Sequence, residues 1–245
     1  MSKGTEVISV SALSEFLLEI SESSISNNGV FNLAISGGSM SKLLKEAFKK
    51  NEASFDFSKW IIFFADERLV KFDNKDSNFN ASNEEIFKNF KSFKPENIKK
   101  IDQNLIKNPK ECAVNYQEQI FNNFKLKNDG SEIPSFDLIL LGLGPDGHTA
   151  SLFPNHPLLN EIKLLVAPIT DSPKPPPCRI SFTYPLINNA KVVAFISTGE
   201  SKAEVLKKIL ELKDLSFPAT RVTPLSKQLF WFLDTPASSK LKSPI

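Results

Sequence analysis

The stretch LILLGLGPDGHT (138–149) decides the fold and raises a question about function. It begins inside FDLILLG (136–142), a near-continuous apolar run typical of a strand that is buried on both faces of a parallel sheet. Three glycines then fit the G-x-G-x-x-G pattern of dinucleotide sites: Gly142, Gly144 and Gly147. Asp146 and His148, however, stand where a pyrophosphate would approach the backbone. The stretch therefore predicts either a cofactor loop or a catalytic loop at the end of a buried strand.

The rest of the chain continues this alternation of buried strands and amphipathic helices. Further apolar runs predict strands at VFNLAIS (30–36), WIIFFAD (60–66), RISFTY (179–184), VVAFIST (192–198) and LFWFLD (229–234). Helical periodicity predicts helices at SKLLKEAFKK (41–50), PKECAVNYQEQIFNNF (109–124) and SKAEVLKKILEL (201–212). The Asn- and Lys-rich stretch 71–110 is expected to be surface helix and loop. We predict an α/β fold with a mainly parallel sheet covered by helices on both faces, as one domain spanning 1–245; two smaller domains are the alternative.

Composition and charge exclude several classes of partner. The 30 basic and 28 acidic residues give a net charge of +2 and form no basic block, so we expect neither nucleic acid nor a membrane surface as a partner. The N-terminal segment MSKGTEVISVSALSEFLLEI carries no basic stretch leading into an apolar core, and no targeting peptide is expected. Cys112 and Cys178 lack metal-ligand spacing. We therefore expect no zinc site and a cytoplasmic protein.

Ligands of open α/β sheets bind beyond the carboxyl ends of the strands, so the residues at these ends are the candidates. Ser36-Gly37-Gly38-Ser39 runs from a strand into a helix and suits a phosphate, although a plain glycine turn with a serine cap is the alternative. Asp66-Glu67-Arg68 follows the next strand, either at a polar site or as an ion pair on an exposed loop. Lys202, in the first turn of a later helix, either reaches a phosphate or is simply solvated.

The loop after the opening strand favours catalysis over cofactor binding. Asp146 would repel a pyrophosphate, and the next apolar segment, LLVAPI (164–169), ends without the acidic residue that would bind a ribose. His148 has the residue type of a general base near neutral pH, and Asp146 can orient it or raise its basicity. An ordinary loop histidine is the alternative. The second histidine, His156, lies between prolines and is expected to stiffen its loop.

Arg179 is one of only three arginines in a lysine-rich chain. It follows SPKPPP (172–177), which is expected to be a stiff extended loop, and it opens the predicted strand RISFTY. A guanidinium held in this way suits bidentate hydrogen bonding to phosphate. A proline-rich docking ligand for another protein is the rival interpretation, and the direct continuation into a strand speaks against it.

Five blocks of the sequence, in order and over nearly the whole chain, resemble the signature blocks of the 6-phosphogluconolactonase family. They are SGGS (36–39), DER (66–68), GLGPDGHTASLFPNHP (142–157), DSPKPPPCRIS (171–181) and TGESK (198–202). The resemblance implies a Rossmann-like α/β fold shared with glucosamine-6-phosphate deaminases, with no metal or cofactor requirement. It also implies hydrolysis of 6-phospho-D-glucono-1,5-lactone to 6-phosphogluconate in the pentose phosphate pathway.

The same resemblance implies roles for individual residues. His148 is the implied base and Arg68 a ligand of the substrate or transition state, while the SGGS turn, Arg179 and Lys202 are the implied phosphate contacts. Asp66 and Asp146 match acidic positions of the family; we count Asp146 with the catalytic group and Asp66 with the substrate-binding group. Because no G-x-S-x-G elbow occurs, direct attack by water is preferred to an acyl-enzyme.

Two other functions remain open from the sequence. A 6-phosphosugar isomerase or deaminase would share the phosphate site, but the loop continues as ASLFP (150–154) without the glutamate by which deaminases resemble one another. A non-enzymatic sugar-phosphate sensor would keep Arg179 and Lys202 but would not need Asp146 and His148. The expected partner is a small-molecule substrate, and the expected assembly is a monomer or weak dimer.

Overall fold

The computed structural model describes residues 4–245, so the first three residues of the N-terminal segment lie outside it. In the described chain the strands are β1 (Gly4–Ser9), β2 (Phe31–Ile35), β3 (Trp60–Phe64), β4 (Asp66–Arg68), β5 (Leu138–Gly142), β6 (Val166–Ile169), β7 (Arg179–Phe182), β8 (Val193–Ser197) and β9 (Gln228–Leu233). Six of them form one sheet in the order β1-β9-β8-β5-β2-β3, and all of its pairs are parallel. The predicted parallel sheet is confirmed.

The helices cover both faces of this sheet, as predicted. They are α1 (Leu13–Asn28), α2 (Met40–Lys50), α3 (Asn78–Ser82), α4 (Pro109–Phe124), α5 (Tyr184–Asn188), α6 (Ala203–Leu210) and α7 (Thr235–Ser238). Leu17 of α1 and Leu44 of α2 share a buried cluster with Leu33 of β2, whereas Tyr116 of α4 and Leu206 of α6 belong to the cluster on the opposite face. The sheet is therefore buried on both faces, which explains why its central strands are near-continuous apolar runs.

A second, antiparallel sheet was not anticipated from the sequence. It has the order β4-β7-β6, with Arg68 paired opposite Arg179 and Asp66 opposite Ser181. The predicted strand RISFTY is thus real but belongs to this smaller sheet. Strand β4 follows β3 after a single residue, so Asp66 and Arg68 lie beyond the carboxyl end of β3.

Two further regions contain structure that the sequence analysis did not predict. The N-terminal segment forms β1 and α1, although its serine-rich sequence lacks a strong apolar period. The stretch 71–110 is not only surface, because Phe90 and Phe93 are buried and pack against Phe57. No helix within residues 4–245 is long and apolar enough to span a membrane.

Candidate active site

A pocket of about 240 Å³ lies at the carboxyl ends of β2, β5 and β8. From β2 the chain moves to β3 on one side, and later returns to β5 on the other, so the strand order reverses between β2 and β5. Such switch points are the usual ligand sites of open α/β sheets. Eight of the ten predicted site residues line this pocket, and the two that do not are Asp146 and Arg179.

The SGGS turn forms one wall of the pocket. Ser36 follows β2 directly, and its backbone N–H donates to the carbonyl of Leu140 in β5 at 3.1 Å. Gly38 has a φ of +77°, a left-handed conformation that favours glycine. Gly37 lies so close to Asn78 that an added Cβ would be 1.8 Å from the Asn78 Oδ1. The turn then enters α2, whose first N–H groups suit an anion.

The loop after β5 is a tight turn and does not open a helix, which answers the question raised by its glycines. Residues 143–156 of the described chain form turns and bends, whereas a dinucleotide loop leads into a helix. The Gly144 N–H donates to the His148 carbonyl at 2.8 Å, and Gly147 has a φ of +77°. A Cβ on Gly144 would lie 1.9 Å from the Nδ1 of His148. These glycines therefore allow the tight turn that places the His148 ring against it.

His148 and Asp146 form a direct pair at the pocket wall. The Nδ1 of His148 lies 2.5 Å from the Oδ1 of Asp146, and the ring stacks on Phe153 with centroids 4.8 Å apart. A third group completes the arrangement: the Nζ of Lys174 is 3.0 Å from the Oδ2 of Asp146. Because Asp146 engages Nδ1, the Nε2 is the ring nitrogen that can accept a proton.

The charges around this pair set two pKa values. Burial raises the pKa of Asp146, but hydrogen bonds and charge from His148 and Lys174 outweigh it and hold that pKa at about 2. Burial also lowers the pKa of His148 below its ordinary value, and the positive charge of Lys174 adds to this effect, while Asp146 opposes it. The lowered pKa favours the neutral ring, which is the form that a general base requires.

The second sheet supplies Asp66 and Arg68. Asp66 is buried and accepts a hydrogen bond from the Ser151 hydroxyl at 2.8 Å. One guanidinium nitrogen of Arg68 donates to the Asp76 carbonyl at 2.8 Å, whereas its Nε is buried and has no hydrogen-bond partner within residues 4–245. An unpaired buried donor is costly unless a ligand satisfies it. Asp66 and Arg68 thus belong to a polar site, not to an exposed loop.

Glu67, between these two residues, does not line the pocket and instead binds the segment that follows. Its buried carboxylate accepts backbone N–H groups of Arg68, Asn78 and Phe79, and the Ser77 hydroxyl. Burial raises its pKa to about 7 despite these donors. Asn78, held in this way, donates to the Asp66 carbonyl at 2.8 Å. Asn78 was missed because no sequence motif includes it.

Arg179 is buried and does not line the pocket. The side chain is 2% exposed, and its nitrogens donate to the carbonyls of Lys174, Pro175 and Pro176. A further nitrogen is 3.3 Å from the Ser151 hydroxyl. The guanidinium thus binds the proline-rich loop, whereas the sequence predicted a bidentate contact with phosphate. The planar guanidinium still donates several hydrogen bonds in a fixed geometry, but its acceptors are carbonyl oxygens.

Lys202 and Ser197 come from β8 and the turn after it. Lys202 lies in a short 3-10 turn before α6 and lines the pocket; burial lowers its pKa, and Lys174 adds to the effect. Ser197 is the last residue of β8, and its hydroxyl, like that of Ser36, is buried without a hydrogen-bond partner in the described chain. Ser197 was missed because a serine closing an apolar strand is not distinctive in a sequence.

His156, in contrast, has a structural role. Its Nδ1 accepts the Leu158 N–H at 3.1 Å, and its Nε2 lies 3.1 Å from the Asp171 carboxylate. The two histidines thus have different tasks, and only His148 lines the pocket. Within residues 4–245 no group of three or more His, Cys, Asp or Glu side chains is arranged to hold a metal ion.

The fold and site define a Rossmann-like α/β protein with an enzyme-like pocket at its topological switch point. The chain belongs to the family described as Glucosamine-6-phosphate isomerases/6-phosphogluconolactonase, whose family model matches residues 5–231. This confirms the family resemblance of the five sequence blocks.

Individual relatives agree with the family assignment. The chain is 42% identical over 236 residues to the probable 6-phosphogluconolactonase of Schizosaccharomyces pombe, covering 94% of this chain and 91% of the relative. It is 41% identical over 222 residues to the 6-phosphogluconolactonase of Homo sapiens, covering 87% and 82%. Among solved structures, the 6-phosphogluconolactonase from Trypanosoma cruzi superposes with a TM-score of 0.83 at 26% identity, covering 99% of both chains.

Proposed function

We propose that this protein hydrolyses 6-phospho-D-glucono-1,5-lactone to 6-phosphogluconate in the pentose phosphate pathway, by direct attack of water with His148 as the general base. The observation that carries the proposal is the pair formed by His148 and Asp146 at the wall of the switch-point pocket. Relatives at about 40% identity named for this activity support the choice of substrate.

In the proposed reaction the Nε2 of His148 takes a proton from a water molecule as that water attacks the lactone carbonyl carbon. The imidazolium that forms is stabilised by the negative charge of Asp146, 2.5 Å from Nδ1. When the tetrahedral intermediate collapses, the ring C–O bond breaks and the proton passes from His148 to the leaving oxygen, which becomes a hydroxyl. Water is thus consumed, and the base is regenerated.

Arg68 is the proposed ligand of the lactone oxygens. Its Nε is a buried donor without a protein partner in the described chain, and the side chain lines the pocket. A guanidinium placed beside the carbonyl oxygen would stabilise the negative charge that develops there. We assign Asp66, which also lines the pocket, to a sugar hydroxyl, since a carboxylate is an acceptor.

The phosphate is proposed to lie on the SGGS turn. The N–H groups at the start of α2 favour an anion, and Lys202 supplies positive charge from the facing turn. The hydroxyls of Ser36 and Ser197 are available as donors to the substrate. Arg179 acts in this proposal through the proline-rich loop and not by touching phosphate.

Turnover of the lactone by purified protein tests the proposal. Because the lactone also hydrolyses unaided, the appearance of 6-phosphogluconate is measured with the uncatalysed rate subtracted at each pH. Hydrolysis well above background is expected. Binding without turnover would indicate the sensor function, whereas turnover of an amino or keto sugar phosphate alone would indicate the isomerase or deaminase function.

Three other predictions from the sequence remain predictions. They are a cytoplasmic location, a small-molecule substrate without nucleic acid or membrane partners, and a monomer or weak dimer. Size-exclusion chromatography with light scattering tests the last of these directly.

A further inference from the structure

Lys174 stands against the catalytic pair although no sequence motif assigned it a role. Its Nζ is 3.0 Å from the Oδ2 of Asp146 and 3.2 Å from the Nδ1 of His148. We propose that Lys174 is a positioning residue, which fixes the Asp146 carboxylate and keeps the His148 ring in its neutral, proton-accepting form. The proposal rests on the proposed function in one respect, namely that His148 acts as the base.

The backbone of Lys174 is held firmly, so the position of its side chain is not accidental. The Lys174 carbonyl accepts hydrogen bonds from the Ser172 hydroxyl and from Arg179, both at 2.8 Å. The Lys174 N–H donates to the Ser172 hydroxyl oxygen at 3.3 Å. The following prolines lower the conformational freedom of the loop further. The buried guanidinium of Arg179 thus holds the loop segment from which the Lys174 side chain reaches Asp146.

The two carboxylate oxygens of Asp146 have separate partners. Oδ1 faces Nδ1 of His148, and Oδ2 faces Nζ of Lys174. A carboxylate bound at both oxygens cannot rotate away from the imidazole without breaking the lysine contact. Because Nδ1 carries its proton toward Asp146, it has no lone pair for Lys174, and the effect of Lys174 on the ring is one of charge.

The charges that face His148 come from four parts of the chain. Asp146, on the same loop, and Asp66, on β4, raise the pKa of His148, while Lys174 lowers it. Arg68 and Lys202 line the same pocket. Removal of Lys174 takes away a positive charge and leaves Asp146 uncompensated, and both effects make the imidazole easier to protonate. The acid limb of the activity profile should therefore move to higher pH.

The test compares Lys174→Met with Lys174→Arg and with the control Lys240→Met. Lys240 also forms an ion pair with an N–O distance of 3.0 Å, to Glu204, and it does not line the pocket. The chain has only two histidines, so NMR titration of the labelled imidazoles, assigned with a His156→Gln variant, reports His148 directly. This readout does not depend on turnover.

We expect Lys174→Met to raise the His148 titration midpoint by about 0.5 pH unit or more, the size of a unit charge a few ångströms away in a partly hydrated site. The acid limb of kcat/KM should move equally, so the rate deficit should grow as pH falls through this limb, to about threefold for a shift of 0.5 pH unit. KM should change little. Lys174→Arg should restore most of the wild-type titration, and Lys240→Met should match the wild type.

An unchanged His148 titration in Lys174→Met, or a rate deficit that is the same at every pH, would overturn the proposal. If the methionine variant is unstable, Lys174→Gln gives the same test with a polar head group. Absence of lactone turnover by the wild-type protein would contradict the proposed function, while the NMR titration would still decide whether Lys174 controls His148.

Discussion

Asp146 offers a sharp test of how the pocket activates its histidine. In the resting state the Asp146 carboxylate accepts the Nδ1–H of a neutral ring, whereas in the transition state the ring becomes a cation 2.5 Å from the same oxygen. The interaction therefore grows as the reaction proceeds, and its loss should lower kcat more than it changes KM.

The size of the effect follows from the geometry. Two unit charges about 4 Å apart interact by about 1 kcal/mol in water and about 4 kcal/mol at an effective dielectric constant of 20. Since 36% of the Asp146 side chain is exposed, solvent screening favours the lower part of this range, about 1–2 kcal/mol. Asp146→Ala should then lower kcat roughly 5–30-fold. Asp146→Asn should cost more, because its amide can donate to Nδ1 and force the proton onto Nε2.

The assay is background-corrected lactone hydrolysis across pH, with Asp171→Asn as the control because Asp171 pairs with His156 outside the pocket. Loss of the Asp146 charge should lower the pKa of His148 further, so the acid limb should move to lower pH, opposite to the Lys174→Met variant. Variants with wild-type kcat and an unmoved acid limb would refute this reasoning.

Three further predictions concern the support of the site. Arg179→Ala removes the guanidinium donors of three loop carbonyls and should lower the free energy of unfolding by about 2–3 kcal/mol in urea denaturation. Wild-type stability with only a raised KM would instead indicate direct phosphate binding. Gly144→Ala, whose Cβ would lie 1.9 Å from Nδ1 of His148, should lower kcat roughly 10²-fold while the protein stays folded, and full activity would contradict the close approach. For Glu67, with a pKa of about 7 in the folded state against 4.5 normally, the free energy of unfolding should fall by up to about 3 kcal/mol as pH rises through this window. Glu67→Gln should lose that slope, and parallel pH profiles would refute the assignment.

The main sheet could be predicted because its strands are buried on both faces. The segments LILLG (138–142) and WIIFFA (60–65) carry no charged residue, and such apolar runs have few other structural solutions. β1 was missed because it is an edge strand, and its residues 5–9 are half-buried or exposed. The second sheet was missed because β4 has only three residues, all charged, and antiparallel pairing at this length leaves no periodic signal.

Some residues of the candidate site could likewise be predicted from the sequence, and others could not. Residues on glycine turns at strand ends, such as Gly37 and His148, could be located because chain order and parallel topology bring them to one edge. The contacts that Arg179 makes in the structure could not be predicted, since its acceptors are backbone carbonyls of the preceding loop, which no motif records. Lys174 and Ser197 depend on the fold of distant segments, so their relation to the pocket emerges only in three dimensions.

The central claim is that His148 removes a proton from the attacking water, and the kcat of His148→Ala tests it most directly. The measurement follows 6-phosphogluconate formation by the purified, folded variant, with spontaneous hydrolysis subtracted at each pH. A general base contributes typically 10²–10⁴-fold, so kcat should fall by roughly that factor while KM stays nearly constant, and the acid limb should disappear. A variant that keeps more than about a third of the wild-type kcat, far outside that range, would contradict the claim and shift the search for a base to Asp66 and Asp146.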